Sequence, residues 1–342
     1  MGNFFGIDIG ASSIKMVQFE KKKNQFDLIS AGAVQNPFPN FNIEIDQTLV
    51  SLAELIKKLK SDLGISANKV VASLPERKVF TTTLELPQMK ESELSQAVLW
   101  EAENVVPYPL SDVNLDWEIL SEIKSPKGEK IKIILVAAPV ALVDRYLMVF
   151  ENAGLELLSL ETDTLAQIRS VKTFFPNIFE LDTLVVDLGA ESTNLIALEK
   201  GSFFSVRQVP TGGLAITRNI VSELNLDLVK AEEYKKVYGL SPQLEGKVAS
   251  AIEPVLKIIV GEIKKMQGFF EESTKRNISL VYLTGGGALL PGLSEYLVKS
   301  LGVEVHLADC LSVFINRNQR FSFLKNAGHF FTVATGLALK LL

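Results

Sequence analysis

Two short segments of this chain place an aspartate beside a glycine-containing turn, and these residue types favour phosphate and metal chemistry. The first segment is Gly6–Lys15 (GIDIGASSIK), and the second is Val185–Ser192 (VVDLGAES). In each, an apolar run ends in aspartate and continues through an apolar residue, a glycine and small or polar residues, which predicts a β-hairpin with a tight turn. Glycine leaves room for backbone amides to approach a phosphate directly.

The side chains of the two hairpins favour a nucleotide clamp. Asp8 and Asp187 would face one cleft, which suits a hydrated Mg²⁺ that neutralises phosphate oxygens, and Lys15 would add a positive charge. The alternative is that each aspartate only closes a β-turn, but the repeat of the pattern favours the clamp. The candidate nucleotide-binding residues of the hairpins are Asp8, Gly10, Ala11, Ser12, Ser13, Lys15, Asp187, Gly189 and Ala190.

A third glycine cluster consists of Gly285, Gly286 and Gly287. It follows a strand-like run, Ile278–Leu283, and precedes a helix-like run, Leu293–Leu301. Alone, such a cluster is typical of a strand-to-helix turn. After two phosphate hairpins, the same bare backbone favours a surface for a flat adenosine.

In order and spacing, these three stretches resemble the actin-like ATPase superfamily, and within it the chain is most similar to PilM-type pilus assembly proteins. Additional matching segments are Leu86-Pro87, Glu93-Leu94, Val106–Leu110 and Ala231–Lys235. The resemblance covers the full length. It implies an α/β, actin-like (ribonuclease H-like) two-domain nucleotide-binding fold with an inserted small α+β subdomain of the IC type, and ATP with Mg²⁺ as ligands.

The resemblance also implies roles for residues outside the three stretches. Glu161 and Asp163 stand where relatives orient the attacking water, although the helix dipole alone favours acids in a first turn. The pair Gly212-Gly213 would lie near the phosphates or form a plain turn. Glu232 and Lys235 would lie near the ribose and adenine, or would form an exposed i,i+3 pair.

Glu191 departs from the family pattern, because relatives that turn over ATP often have a small residue there. A bulky acid beside the γ-phosphate would repel the nucleotide, unless it points outward from the turn. This residue therefore favours nucleotide as a conformational ligand, with at most slow ATPase activity, and leaves the question of enzymatic function open.

The expected domain order follows the family. Residues 1–76 and 155–180 form subdomain IA, 77–154 the insert IC, 181–213 and 277–325 subdomain IIA, 214–276 subdomain IIB, and 326–342 a helix that returns to IA. Periodicity predicts helices at 91–105, 228–238, 246–272 and 327–341, with a kink or break at Pro254 and with Phe330 buried in the last helix. A turn at Pro126–Gly128 would close a hairpin of the insert.

Composition excludes several function classes. A net charge of −5 over 342 residues, without a long basic block, argues against nucleic acid as the main partner. One cysteine and two histidines exclude an intramolecular disulfide and a typical zinc site. The longest apolar run, Ile133–Val143, is too short to span a bilayer, so no direct membrane insertion is expected.

The resemblance implies a cytoplasmic scaffold of the type IV pilus assembly platform, peripherally associated with the inner membrane. Its partner would be the cytoplasmic N-terminal peptide of a PilN-like bitopic protein, bound by the insert and the adjoining first-domain surface, and self-association is possible. Pro107-Tyr108-Pro109 is either a docking surface or a proline-bounded turn. The alternatives are an FtsA-like cell-division protein and, in another class, a sugar-kinase-like phosphotransferase.

Overall fold

The computed structural model describes residues 4–23, 25–38, 46–125, 128–317 and 319–342. The first domain contains a five-stranded mixed sheet in the order β3-β2-β1-β4-β8. Its strands are β1 (Phe4–Ile9), β2 (Ser13–Lys22), β3 (Gln25–Gln35), β4 (Lys69–Leu74) and β8 (Glu156–Thr162). The first three strands are antiparallel, and β4 and β8 run parallel to β1.

Every residue of β1 is buried because helices cover both faces of the sheet. On one face, Phe5 and Ile7 pack against the insert's last helix, α3 (Val140–Asn152), and against α1 (Asp46–Asp62). On the other face, Phe4 packs against α10 (Thr332–Leu339). Since alternate residues of a strand share a face, Asp8 lies on the α10 side of the sheet.

The second domain repeats this topology in a sheet of order β11-β10-β9-β12-β13. Its strands are β9 (Thr183–Leu188), β10 (Thr193–Glu199), β11 (Ser202–Val209), β12 (Leu280–Thr284) and β13 (Glu304–Leu307). Its helices are α5 (Gly213–Leu224), α6 (Leu228–Tyr238), α7 (Lys247–Thr274) and α8 (Leu293–Leu301). Helix α7 continues through Pro254, so this proline does not divide it into two helices.

The insert is a three-stranded antiparallel sheet in the order β5-β7-β6. It comprises β5 (Phe80–Pro87), α2 (Glu91–Val105), β6 (Val113–Ser125), β7 (Gly128–Pro139) and α3. Helix α2 covers one face through Leu94 and Val98. The other face places Ile134 against Leu198 and Phe203 of the second domain, so the insert contacts both domains. The predicted hairpin turn at 126–127 lies outside the described residues.

Helices α4 (Asp163–Phe174) and α10 cross between the domains, and α9 (Ser312–Arg317) precedes the C-terminal segment. The crossing is close, because a Cβ at Gly336 would collide with the backbone of Ala166. The predicted last helix was wrong in its first turn: Gly328–Phe331 is a 3₁₀ turn, and Phe330 is only half-buried. Within the described part of the chain, no helix combines the length and apolarity needed to cross a bilayer.

Candidate functional site

The two predicted hairpins have matching backbones. Gly10 N donates to Ser13 O at 3.0 Å, and Gly189 N donates to Ser192 O at 3.0 Å. Each turn connects the central strand of its sheet to the next antiparallel strand, β1 to β2 and β9 to β10. The repeat seen in the sequence is therefore a repeat of structure.

In the first hairpin, Asp8 and Lys15 form a nearly buried ion pair. The Lys15 Nζ atom lies 2.7 Å from Asp8 Oδ2, and the two side chains are 11% and 12% exposed. The same ammonium lies 4.5 Å from the centre of the Phe330 ring, a cation–π contact that adds to its stabilisation. Asp8 therefore neutralises the charge of Lys15 in the nucleotide-free protein.

Asp187 of the second hairpin has a different environment. Thr284 Oγ1 donates to Asp187 Oδ1 at 3.2 Å, and no salt bridge to Asp187 forms within the described residues. Burial raises the pKa of this carboxyl above its ordinary value. The glycine at position 285 is required here, because its φ is +83° and a Cβ would collide with Asp187 Oδ1.

Asp163 is the first residue of α4, after Thr162, whose Oγ1 accepts a hydrogen bond from Leu165 N at 3.2 Å. Burial raises its pKa well above the ordinary value, and the charges of Glu76, Asp187 and Asp8 raise it further. A helix N-terminus would lower that pKa, but here burial and the acidic neighbours outweigh the dipole. Asp163 Oδ1 is buried and has no hydrogen-bond partner among the residues that the structure describes.

Glu161 lies outside the cleft. Its carboxylate binds the Arg169 guanidinium at 2.5 and 2.8 Å and the Lys340 Nζ atom at 2.7 Å, while Arg169 also donates to Gly336 O. These contacts tie β8 to helices α4 and α10. Glu161 is not among the residues that line the cleft, so its predicted role in orienting water stays a prediction.

The Gly212-Gly213 turn docks on the second hairpin. A Cβ at Gly212 would lie 2.7 Å from Gly189 O, and Gly213 N donates to Gly189 O at 2.9 Å. Leu214 N donates to Ala190 O at 2.8 Å. The first amides of α5 are thus used to fix the hairpin, and Gly213 lines the cleft while Gly212 lies behind it.

Glu232 and Lys235 of α6 form an i,i+3 ion pair at 2.6 Å. The pair is not simply exposed, because the Lys235 side chain is 13% exposed and also donates to Gly213 O and Thr217 Oγ1. Burial lowers the pKa of Lys235, against the opposing effect of Glu232. This network joins α6 to the N-terminus of α5 at the wall of the cleft.

These elements enclose one cleft of about 1300 Å³ between the two domains. The predicted residues that line it are Asp8, Gly10, Ala11, Ser12, Ser13, Lys15, Asp163, Asp187, Gly189, Ala190, Gly213, Glu232, Lys235, Gly285, Gly286 and Gly287. Of the three clustered glycines, Gly286 is the most open, since an added Cβ would meet only the Phe330 ring. The structure therefore brings together all the predicted site residues except Glu161 and Gly212.

The lining residues that sequence reasoning did not propose for the site include Arg77, Tyr146, Gln167 and Phe330. The position of Arg77 could have been predicted. It follows the carboxyl end of β4, which is parallel to β1 and ends at the same edge of the sheet as Asp8. Tyr146 and Gln167 belong to the buried faces of helices, where periodicity indicates only core packing.

Comparison with known proteins agrees with this architecture. The family model for the type IV pilus assembly protein PilM matches residues 6–342. A structure of the PilM–PilN type IV pilus biogenesis complex superposes with a TM-score of 0.87 and 29% identity, covering 99% of this chain and 98% of that chain. The ethanolamine utilization protein EutJ of Carboxydothermus hydrogenoformans, at 16% identity and TM-score 0.53, covers 98% and 88% and shares the fold.

The chain is also similar to a cell division protein. The cell division protein FtsA of Streptococcus pneumoniae is 23% identical over 345 residues, which covers 90% of this chain and 75% of FtsA. The predicted fold is confirmed: two ribonuclease H-like domains with mixed sheets form an actin-like ATPase fold. The family match extends over nearly the whole chain, and this protein therefore belongs to the PilM family of type IV pilus assembly proteins.

Proposed function

We propose that this protein is an ATP-binding scaffold that links a nucleotide-dependent conformation to a PilN-like partner at the inner membrane. The observation that carries the nucleotide assignment is the convergence of both hairpins and the glycine cluster on one interdomain cleft. The amides that follow Gly10, the pair Asp8–Lys15 and the open surface at Gly286 supply contacts for phosphates and a base.

The acidic floor of the cleft fits a hydrated divalent cation. Asp8, Asp163 and Asp187 converge there, and within the described ranges the buried Oδ1 of Asp163 has no hydrogen-bond partner. No group of three or more His, Cys, Asp or Glu side chains in the described segments is arranged to hold a metal directly. This arrangement fits contact through water, in which Mg²⁺ would neutralise phosphate oxygens while Asp8 and Asp187 accept from its waters.

The environment of Asp163 supports slow hydrolysis. Burial and the charges of Glu76, Asp187 and Asp8 raise the pKa of this carboxyl well above its ordinary value. The environment thus disfavours the ionised form, which is the form that a general base needs. We therefore assign Asp163 an orienting role and Glu161 a structural one, and we expect nucleotide to act chiefly as a conformational ligand.

A groove between α1 and α3 supports the peptide site predicted for the insert and the adjoining first-domain surface. It has a volume of about 560 Å³ and contains Val50, Arg145 and Met148 among its lining residues. Val50 is 50% exposed and Met148 is 47% exposed, so apolar surface is available to a partner. A short extended peptide would place apolar side chains there. Asp144 and Arg145 also line the groove and would make polar contacts with the peptide.

Helix α3 connects this groove to the nucleotide cleft. Tyr146 is buried in the cleft, where burial and then the charges of Asp8 and Asp163 raise its pKa, while the adjacent Arg145 lines the groove. The insert that carries α3 also packs on the second domain through Ile134. Domain closure around nucleotide would therefore move a helix that forms one wall of the peptide groove.

Two measurements test the proposal. Calorimetric titration with Mg-ATP should detect binding to the purified protein, and chelation of the metal should weaken it. The absence of a heat signal at millimolar ATP would contradict the nucleotide assignment.

The second measurement tests the coupling. A fluorescent peptide of the cytoplasmic N-terminal residues of the PilN-like partner should change its affinity for the protein when Mg-ATP is present. Equal affinity in both conditions would contradict the coupling.

A matched pair of variants tests the groove. Met148→Glu should lower peptide affinity at least tenfold, because it places a charge among apolar contacts, whereas Ile258→Glu on α7 should not change it. Ile258 is a suitable control because it is 55% exposed and lies away from the groove. Unchanged affinity in Met148→Glu would exclude this groove and leave the remaining surface of the insert to be tested.

A further inference from the structure

The departure from the family pattern at Glu191 has a partner across the cleft. The Arg77 guanidinium Nη1 atom lies 2.5 Å from Glu191 Oε2, and both residues line the nucleotide cleft. Arg77 belongs to the Glu76–Lys78 turn between β4 and β5, at the junction of the first domain and the insert. Glu191 is at the turn of the second-domain hairpin, so this ion pair bridges the two domains.

Comparison of the hairpins shows what is unusual about Glu191. The position that corresponds to it in the first hairpin is Ser12, whose carbonyl oxygen accepts from Asn36 N at 3.0 Å. A serine leaves space and hydroxyl contacts at the turn, whereas a glutamate places a negative charge where phosphates would lie. Like charges at short distance repel each other, and a cleft of lowered dielectric constant strengthens the repulsion.

Arg77 both neutralises that acid and presents a phosphate-binding group. A guanidinium is always charged and has a planar fork of donors that matches carboxylate and phosphate oxygens equally well. Its side chain is 29% exposed and that of Glu191 is 17% exposed, so the pair is accessible from the cleft without being fully solvated. A polyanion that enters between the two turns would compete with Glu191 for the same donors.

We propose that Arg77 determines specificity for the terminal phosphate, and that Glu191 holds Arg77 in place until a nucleoside triphosphate replaces it. The inference rests on the proposed nucleotide function and deepens it. In nucleotide-free protein the Arg77–Glu191 pair joins the domains. With a nucleoside triphosphate, Arg77 transfers its donors to the terminal phosphate and Glu191 turns to solvent. A diphosphate lacks the competing group, so Arg77 remains with Glu191.

The test compares the affinities of ATP and ADP, each with Mg²⁺, by calorimetry on the full-length protein. Arg77→Gln should lower the affinity for ATP at least tenfold and change that for ADP less than threefold. Glu191→Gln should raise the affinity for ATP severalfold, because the competing carboxylate is removed, and again leave ADP unchanged. Arg77→Lys keeps the charge without the fork and should fall between the wild type and Arg77→Gln.

The outcomes separate this inference from the nucleotide assignment. If the wild type binds neither ATP nor ADP, both fail. If it binds both and Arg77→Gln keeps the wild-type ratio of ATP to ADP affinity, only the role of Arg77 fails. Retained ADP binding shows that a variant is folded at the site.

Small-angle X-ray scattering tests the bridging pair in the absence of nucleotide. Arg77→Gln should increase the radius of gyration, and a change in that direction supports the bridging pair.

Discussion

The two hairpins that face each other across the cleft have the same backbone geometry but carry different charges. Asp8 pairs in register with Lys15 on the neighbouring strand, whereas Asp187 pairs in register with Asn194. Lys15 neutralises Asp8 at 2.7 Å. Asn194 is a neutral amide whose Oδ1 accepts from the side chain of Gln208 at 3.2 Å, and it offers Asp187 no charge.

The turns differ in the same sense, because Ser12 in the first hairpin corresponds to Glu191 in the second. The cation that neutralises Glu191 is Arg77, which comes from the first-domain side of the cleft. At these two hairpins the first-domain side thus supplies both cations, Lys15 and Arg77, whereas the second hairpin contributes the acids Asp187 and Glu191. The acid of the first hairpin is therefore neutralised within its own hairpin, whereas the acids of the second hairpin gain most from domain closure or a bound cation.

The largest expected effect separates the aspartates by stability. In nucleotide-free protein, Asp8→Asn should lower the free energy of unfolding by about 3 kcal/mol, because it leaves the Lys15 ammonium nearly buried without its partner. The loss is at the lower end for a buried pair because the Phe330 ring still faces the ammonium. Urea denaturation followed by circular dichroism measures it.

The control for this variant is Asp62→Asn, at the exposed end of α1. It should change the free energy of unfolding by less than about 0.5 kcal/mol. If Asp8→Asn behaved like this surface control, the ion pair would not stabilise the first hairpin and the comparison would lose its basis.

Asp187→Asn should have the opposite effect on stability and a large effect on binding. It removes a buried carboxylate that forms no salt bridge with the part of the chain that the structure describes, so the nucleotide-free protein should become more stable. The affinity for Mg-ATP should fall at least tenfold, which is about 1.4 kcal/mol. Urea denaturation and calorimetry on the same preparation measure both changes. Destabilisation equal to that of Asp8→Asn would show that the two aspartates are equivalent.

A pH series sharpens the assignment of Asp187. Its folded-state pKa is raised by burial, so its contribution to stability is fully present below about pH 3.8, its ordinary value, and is lost as the pH rises through the folded-state value. The stability advantage of Asp187→Asn over the wild type should therefore shrink as the pH falls from 8 toward 4. A constant advantage over that range would contradict a raised pKa.

His329 gives an opposing pH effect that must be separated from this one. Burial lowers its pKa to about 4, so its stabilising contribution is present above its ordinary pKa of 6.5 and is lost as the pH falls toward 4. The comparison of Asp187→Asn with wild type cancels this effect, since both proteins contain His329.

The smallest expected effect comes from transplanting the charge of the first hairpin into the second. Asn194→Lys places an ammonium at the register position opposite Asp187 and should stabilise the nucleotide-free protein by about 1 kcal/mol. Asn194→Gln is the matched control, since it lengthens the side chain without charge. Thermal unfolding of both variants decides, and equal shifts would mean that packing, not charge, controls the site.

Sequence patterns located most of the elements that carry the site. Helices α2 and α6 were predicted at their observed residues, 91–105 and 228–238, because amphipathic periodicity and nearby turns are local signals. The last helix was predicted too long, since the apolar character of Phe330 suggested a core position. In the structure this ring contacts the Lys15 ammonium in the cleft, and nothing adjacent in the sequence indicates that contact.

The two hairpins, the glycine cluster and their order could be predicted from the sequence, because each depends on residues that are neighbours in the chain. The partner of each charged side chain became known only from the folded structure. In the folded structure, Asp8 forms an ion pair with Lys15, and Glu191 forms one with Arg77. Glu161 binds Arg169 and Lys340. The physical reason is that burial and distance set the strength of the interaction between two charges. For residues far apart in the chain, both quantities are fixed only when the chain packs into its folded structure.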